Sequence, residues 1–135
     1  MRSALRFLLF VGVSFLGYTQ TDNTPAVWSH SVTQLSDTVY QLTFSAKIQP
    51  GWHIYSQHTA EGGSLPSTFT FEKAGAAYAL LGPTTESETQ TEYSEVFEVE
   101  ETFFTDRAVF TQRIKPLTPG FRQLSVTLFY QICKE

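Results

Sequence analysis

The sequence predicts an all-β fold, an antiparallel sandwich, on three observations. Apolar and polar residues alternate with period two through much of the chain, and no segment shows a helical period. Gly and Pro turn signals interrupt the alternation at short intervals. The residue supply also suits a pleated surface, with 12 Phe, 6 Tyr and 2 Trp beside many Thr and Val.

In chain order, the first stretch stands apart from the fold. Arg2 and Arg6 form a short basic region, Phe7 to Leu16 is an uncharged apolar run, and small and polar residues follow from Gly17 to Thr24. That order is typical of an export signal peptide, and the run is too short to span a bilayer. Residues 1–20 are therefore expected to be a signal peptide cleaved between Gly17 and Thr21, leaving residues 21–135 as one domain. With no cysteine at the cleavage region, lipid attachment is not expected there. Loss of two arginines takes the net charge from −4 to −6. A mildly acidic exported domain is a poor partner for nucleic acid or anionic lipid.

The strands follow. Tyr40, Leu42, Phe44, Ala46 and Ile48 alternate with polar residues, and Pro50-Gly51 ends that strand as a turn. Trp52 to Gln57 starts another, broken by Glu61-Gly62-Gly63-Ser64. Leu65 to Glu72 carries Phe69 and Phe71 on one face. Ala77 to Leu81 is a short apolar run closed by Gly82-Pro83. Arg107 to Ile114 and Phe121 to Cys133 complete the set, separated by the turn from Pro116 to Gly120. Such strands read as an immunoglobulin-like sandwich first and a small barrel second.

Two segments exceed what a plain sandwich needs. Pro83 to Thr102 reads as a long polar loop, and eight of the 13 acids lie between residues 86 and 106 without a balancing Lys or Arg. Long loops in compact domains are uncommon and often functional. In the final strand, Leu124, Val126, Leu128, Tyr130 and Ile132 share one face. Ser125, Thr127, Phe129, Gln131 and Cys133 share the other. The first set makes the better core, so Cys133 falls on the more polar face at a strand end, where a thiol can be reached.

Cys133 is the only cysteine. An odd cysteine in an exported protein can pair with another chain, react as a thiol, lie buried as a passenger, or await a partner beyond Glu135. The chain stops two residues later without a closing turn, so the domain is expected to be C-terminally incomplete. His30, His53 and His58 match no zinc spacing, and the acidic stretch lacks a calcium-loop signature. No metal or cofactor is expected.

Three segments resemble one family in order and spacing, over about residues 28 to 135. They are Gly51-Trp52-His53-Ile54-Tyr55-Ser56-Gln57, Phe103-Phe104-Thr105-Asp106-Arg107 with Ala108 to Ile114, and Tyr130-Gln131-Ile132-Cys133. The family is the N-terminal periplasmic domain of the thiol:disulfide interchange protein DsbD, a membrane reductant conductor. The resemblance implies an immunoglobulin-like domain acting as a protein-disulfide reductase module. Two nearby cysteines would take reducing equivalents from a membrane-linked thioredoxin-like domain and pass them to periplasmic thiol oxidoreductases. By position Cys133 is the first of the pair; the second is absent, so this chain alone is not expected to be competent. A single thiol can form a mixed disulfide but cannot store two electrons as an intramolecular one.

The resemblance also implies a mobile cap loop. Phe97 would be its shielding aromatic and Glu95 its retained acid, while Val96 departs from a second acid. His53, Tyr55 and Tyr130 would neighbour the redox centre. Periplasmic location follows from the signal together with the family, and membrane attachment would come only from a following transmembrane domain. The rival expectation is a non-catalytic exported sandwich for binding or adhesion, with the acidic segment as its contact surface.

Overall fold

The structure, a computed structural model, describes residues 2–10 and 24–135, and these form ten strands without a helix. The strands are β1 (Arg2–Phe10), β2 (Ala26–Gln34), β3 (Tyr40–Ile48), β4 (Trp52–Tyr55), β5 (Thr68–Phe71), β6 (Tyr78–Glu86), β7 (Gln90–Ser94), β8 (Val99–Phe104), β9 (Arg107–Pro116) and β10 (Gln123–Lys134). One antiparallel sheet has the order β2-β3-β9-β6; the other runs β1-β10-β4-β8-β7, with β5 also paired to β10. Two antiparallel sheets facing across one core make the expected immunoglobulin-like sandwich.

The core follows from the alternation. Leu42, Phe44, Ala46 and Ile48 of β3 point inward, as do Leu124, Val126, Leu128, Tyr130 and Ile132 of β10. Phe110 of β9 joins the sheets: its ring centroid lies 5.0 Å from Phe69, 5.2 Å from Phe104 and 6.2 Å from Trp28. Rings at these separations add to the free energy of area burial alone.

Three sequence expectations are corrected by the strands. Gly82-Pro83 does not end β6. The strand continues to Glu86 through a register shift between Leu81 and Thr85. Gly82, at φ 75°, supplies the left-handed residue that the irregularity needs, and Pro83 has no N–H to leave unpaired. The buried Gln112 of β9 fills the gap, donating to Gly82 O at 3.0 Å and accepting from Thr84 Oγ1 at 2.8 Å. Second, Pro83 to Thr102 is not a loop. It holds the end of β6 and the β7–β8 hairpin, whose residues Gln90 to Ser94 pair with Val99 to Phe103. Third, β2 was not foreseen, although Ala26 and Trp28 are buried on one face.

The N-terminal run expected as a leader is, over residues 2–10, strand β1, paired antiparallel with β10 from Arg2↔Gln131 to Phe10↔Gln123. Phe7 and Leu9 are buried, and Phe7 lies 5.3 Å from His30 and 5.2 Å from Phe44. Beneath this strand Trp28 Nε1 and His30 Nδ1 are buried without a hydrogen-bond partner, a cost to the sheet. Burial also lowers the His30 pKa. The cleavage region between Gly17 and Thr21 lies outside the described residues.

Tyr78 supplies a pH test of the fold. It is buried, and its hydroxyl donates to Glu72 O at 2.6 Å. Burial first, then the Glu72 charge, pushes its pKa to about 12. The unfolded chain ionises near 10, so stability from the neutral phenol is full below pH 10 and is lost as pH rises towards 12. Urea midpoints should fall more steeply between pH 9.5 and pH 11.5 in the native chain than in Tyr78→Phe. Parallel slopes would refute the assignment.

Candidate functional site around Cys133

Cys133 sits at the end of β10 on the face away from the core and is half-buried. Its Cα partner across the sheet is His53 of β4. Tyr55 lies two residues further on the same face of β4 and pairs with Phe103 of β8. Glu101 stands two residues before Phe103, opposite Glu92 of β7. Period two therefore lays one row of side chains across four strands.

The contacts within this row are specific. The His53 ring stacks on Phe103 at 4.0 Å and 15°, and Tyr55 meets Phe103 edge-on at 6.4 Å. His53 Nε2 lies 2.7 Å from Glu135 Oε1, and Glu135 N donates to Gly51 O at 2.9 Å, which ties the chain end to the start of β4. The Tyr55 phenol lies near enough to Ser64 and Cys133 for both to act on its ionisation. Burial chiefly pushes the Tyr55 phenol above its usual range. Ser64 opposes this, while Cys133 and Glu101 add to it. The phenol thus keeps its proton near the sulfur. Gln131 Nε2 donates to Cys133 Sγ at 3.2 Å.

The segment from Gly63 to Ser67 frames the thiol. Ser64 N donates to Glu101 Oε1 at 2.7 Å, Leu65 N to Gln131 Oε1 at 2.6 Å, and Ser67 Oγ to Tyr55 O at 2.6 Å. Position 63 is tight against the neighbouring side chains, which would have to shift for any larger residue. A Cβ there would lie 2.8 Å from Glu101 Oε1 and 2.9 Å from Val99 Cγ2. A groove of about 140 Å³ opens along the row, lined by His53, Tyr55, Glu92, Tyr93, Ser94, Glu101 and Phe103.

The predicted site residues divide into three groups. His53, Tyr55 and Cys133 are brought together. Glu95 and Phe97 lie in the turn of the β7–β8 hairpin, where Glu98 N donates to Ser94 O at 2.8 Å. Phe97 is 47 % exposed, so it is not an ordinary core phenylalanine. Tyr130 belongs to the opposite face of β10, buried 5.2 Å from Trp28, because an odd separation from Cys133 turns it into the core. This corrects its expected place beside the thiol.

Sequence reasoning missed Gln131, Ser64, Glu101, Phe103 and Glu135 as site residues. The position of Gln131, two before Cys133 on one strand face, was a usable signal. Ser64 and Glu101 meet across 37 residues and had none. Among the described residues no group of three or more His, Cys, Asp or Glu could hold a metal ion. No helix among them is long and apolar enough to cross a membrane.

The family model described as thiol:disulfide interchange protein DsbD, N-terminal, matches residues 23–135. No curated protein matches the chain, and no solved structure does. A thiol held among hydrogen-bond donors at the end of a sandwich strand, together with a family match over residues 23–135, places the chain in the DsbD N-terminal domain family of thiol:disulfide interchange.

Proposed function

We propose that the domain exchanges disulfides through Cys133, passing reducing equivalents from a thioredoxin-like domain to periplasmic thiol oxidoreductases. The observation that carries this reading is the half-buried sulfur, which accepts a hydrogen bond from Gln131 Nε2 and faces His53 across the sheet. In the exchange step the Cys133 thiolate attacks one sulfur of a partner's disulfide. A new Sγ–S bond forms, the partner's S–S bond breaks, and the released partner thiolate takes up a proton. A second thiol, absent from residues 1–135, would then attack the mixed disulfide and release the partner as a dithiol. That thiol and Cys133 would remain joined as the disulfide, two electrons having moved to the partner.

Glu95 and Phe97, at the hairpin turn, act in this proposal as the cap that limits access to the sulfur. The run from Phe7 to Leu16 serves as the export leader, which places the processed domain in the periplasm.

The test uses an oxidised thioredoxin-fold protein whose resolving cysteine has been changed to serine, with its remaining cysteine activated as a mixed disulfide with thionitrobenzoate. The folded chain should give a one-to-one adduct that dithiothreitol cleaves, and Cys133→Ser should give none. Phe97→Ala should form adduct faster than the native chain. If the native chain forms no adduct while its urea-unfolded form reacts, the exchange proposal fails and a binding role becomes the better reading.

A further inference from the structure

Gln131 holds two partners by opposite ends of one carboxamide. Its Oε1 accepts from the Leu65 backbone N–H at 2.6 Å, and its Nε2 donates to Cys133 Sγ at 3.2 Å. These bonds are not independent. A backbone N–H can be met only by the oxygen of an amide, so the Leu65 bond decides which end faces the sulfur. Turned over, the amide would lose the Leu65 bond and bring an acceptor against Sγ. The Leu65 N–H is itself held in place, because flanking residues are tied down by the Ser64–Glu101 and Ser67–Tyr55 bonds.

We propose that Gln131 acts on the reacting sulfur as an oriented N–H donor that favours the thiolate, with the Leu65 N–H as its positioning group. The inference rests on the exchange reading and names a further residue for it. A donor bonds more strongly to a charged sulfur than to a neutral one, so it favours deprotonation. Attack and departure of Cys133 both pass through that charged form, so one fixed donor assists both directions of exchange. The other ionisable groups facing the sulfur are His53 and Tyr55 from β4. Glu135 acts through His53, and Glu101 of β8 acts near Tyr55. From β1, Arg2 pairs with Gln131 and sets its guanidinium 5.9 Å from the Phe129 ring. Of these groups only Arg2 stands directly opposite Gln131, and Gln131→Met adds no charge there.

The experiment is the pH dependence of iodoacetamide labelling of the full chain, with Cys133→Ser as the blank. Gln131→Glu keeps an oxygen for Leu65 N–H but replaces the donor with a carboxylate oxygen at the sulfur. Its profile should move upward by about one pH unit, which at pH 7 slows labelling about tenfold. Gln131→Met, of similar length but with neither bond, should move the profile in the same direction by less, which keeps the test informative if the Glu variant folds poorly. Profiles of both variants that superimpose on the native one would overturn the proposal and leave Gln131 as a tether for the Leu65 segment. Labelling needs no protein partner. A shifted profile alongside a failed adduct assay would therefore remove the exchange function and keep the donor, and the reverse pattern would do the opposite.

Discussion

Replacing Phe110 by alanine is expected to destabilise the domain by about 3–5 kcal/mol, the range for truncating a buried aromatic. Phe110 is fully buried, and its ring meets Trp28 of β2, Phe69 of β5 and Phe104 of β8. Those neighbours come from both sheets, so the void cannot close by the shift of one strand. Total stability of a single domain is about 5–15 kcal/mol, which puts the variant near the edge of folding. The urea midpoint should fall by a large fraction of its native value. Phe129→Ala, on the outer face of β10 and 37 % exposed, should cost less than about 1 kcal/mol. Equal losses for the two would show that Phe110 is not the link between the sheets.

The second large effect belongs to a carboxylate. Glu86, the last residue of β6, accepts from the Ser56 hydroxyl with one oxygen. Its other oxygen accepts from Gln57 N at 3.1 Å and Gln57 Nε2 at 3.2 Å. Ser56 is fully buried and follows Tyr55 directly, so this bond set anchors the end of the strand that faces the thiol. Glu86→Leu leaves a hydroxyl and a backbone N–H without their acceptor, at a cost of about 3 kcal/mol. Glu86→Gln retains one acceptor oxygen and should lose about half as much. Chemical denaturation of the three chains checks this. A Leu variant as stable as the native chain would mean that water replaces the carboxylate.

Legibility in the sequence followed burial. β3, β9 and β10 were visible because one face of each is apolar and the other is wet. The β7–β8 hairpin was hidden because Gln90 to Tyr93 are exposed, so no apolar period marks the strand. Gly82-Pro83 signalled a break, yet Gln112, 30 residues away from Gly82, rescues the strand by occupying the irregularity. The same rule governed the site. Cys133, His53 and Tyr55 were readable from strand parity and resemblance. Parity should also have excluded Tyr130, which had already been placed on the core face. Gln131, Ser64 and Glu101 act through partners that only folding brings near: Leu65 lies 66 residues from Gln131, and Ser64 lies 37 from Glu101.

Strand β1 sets a timetable for synthesis. Its acceptor, β10, is the last strand among the described residues, and the nine residue pairs between them reach from Gln123 to Gln131. Residues 2–10 therefore have no β10 to dock on until the chain has been made as far as Gln131. At about 5–20 residues per second that interval is roughly 6–24 s. Sheets built from such distant pairings then fold in about milliseconds to seconds, slow for a domain of this size. Until then residues 2–10 are open to capture by other factors while the ribosome is still at work, and completion of β10 withdraws them into the sheet.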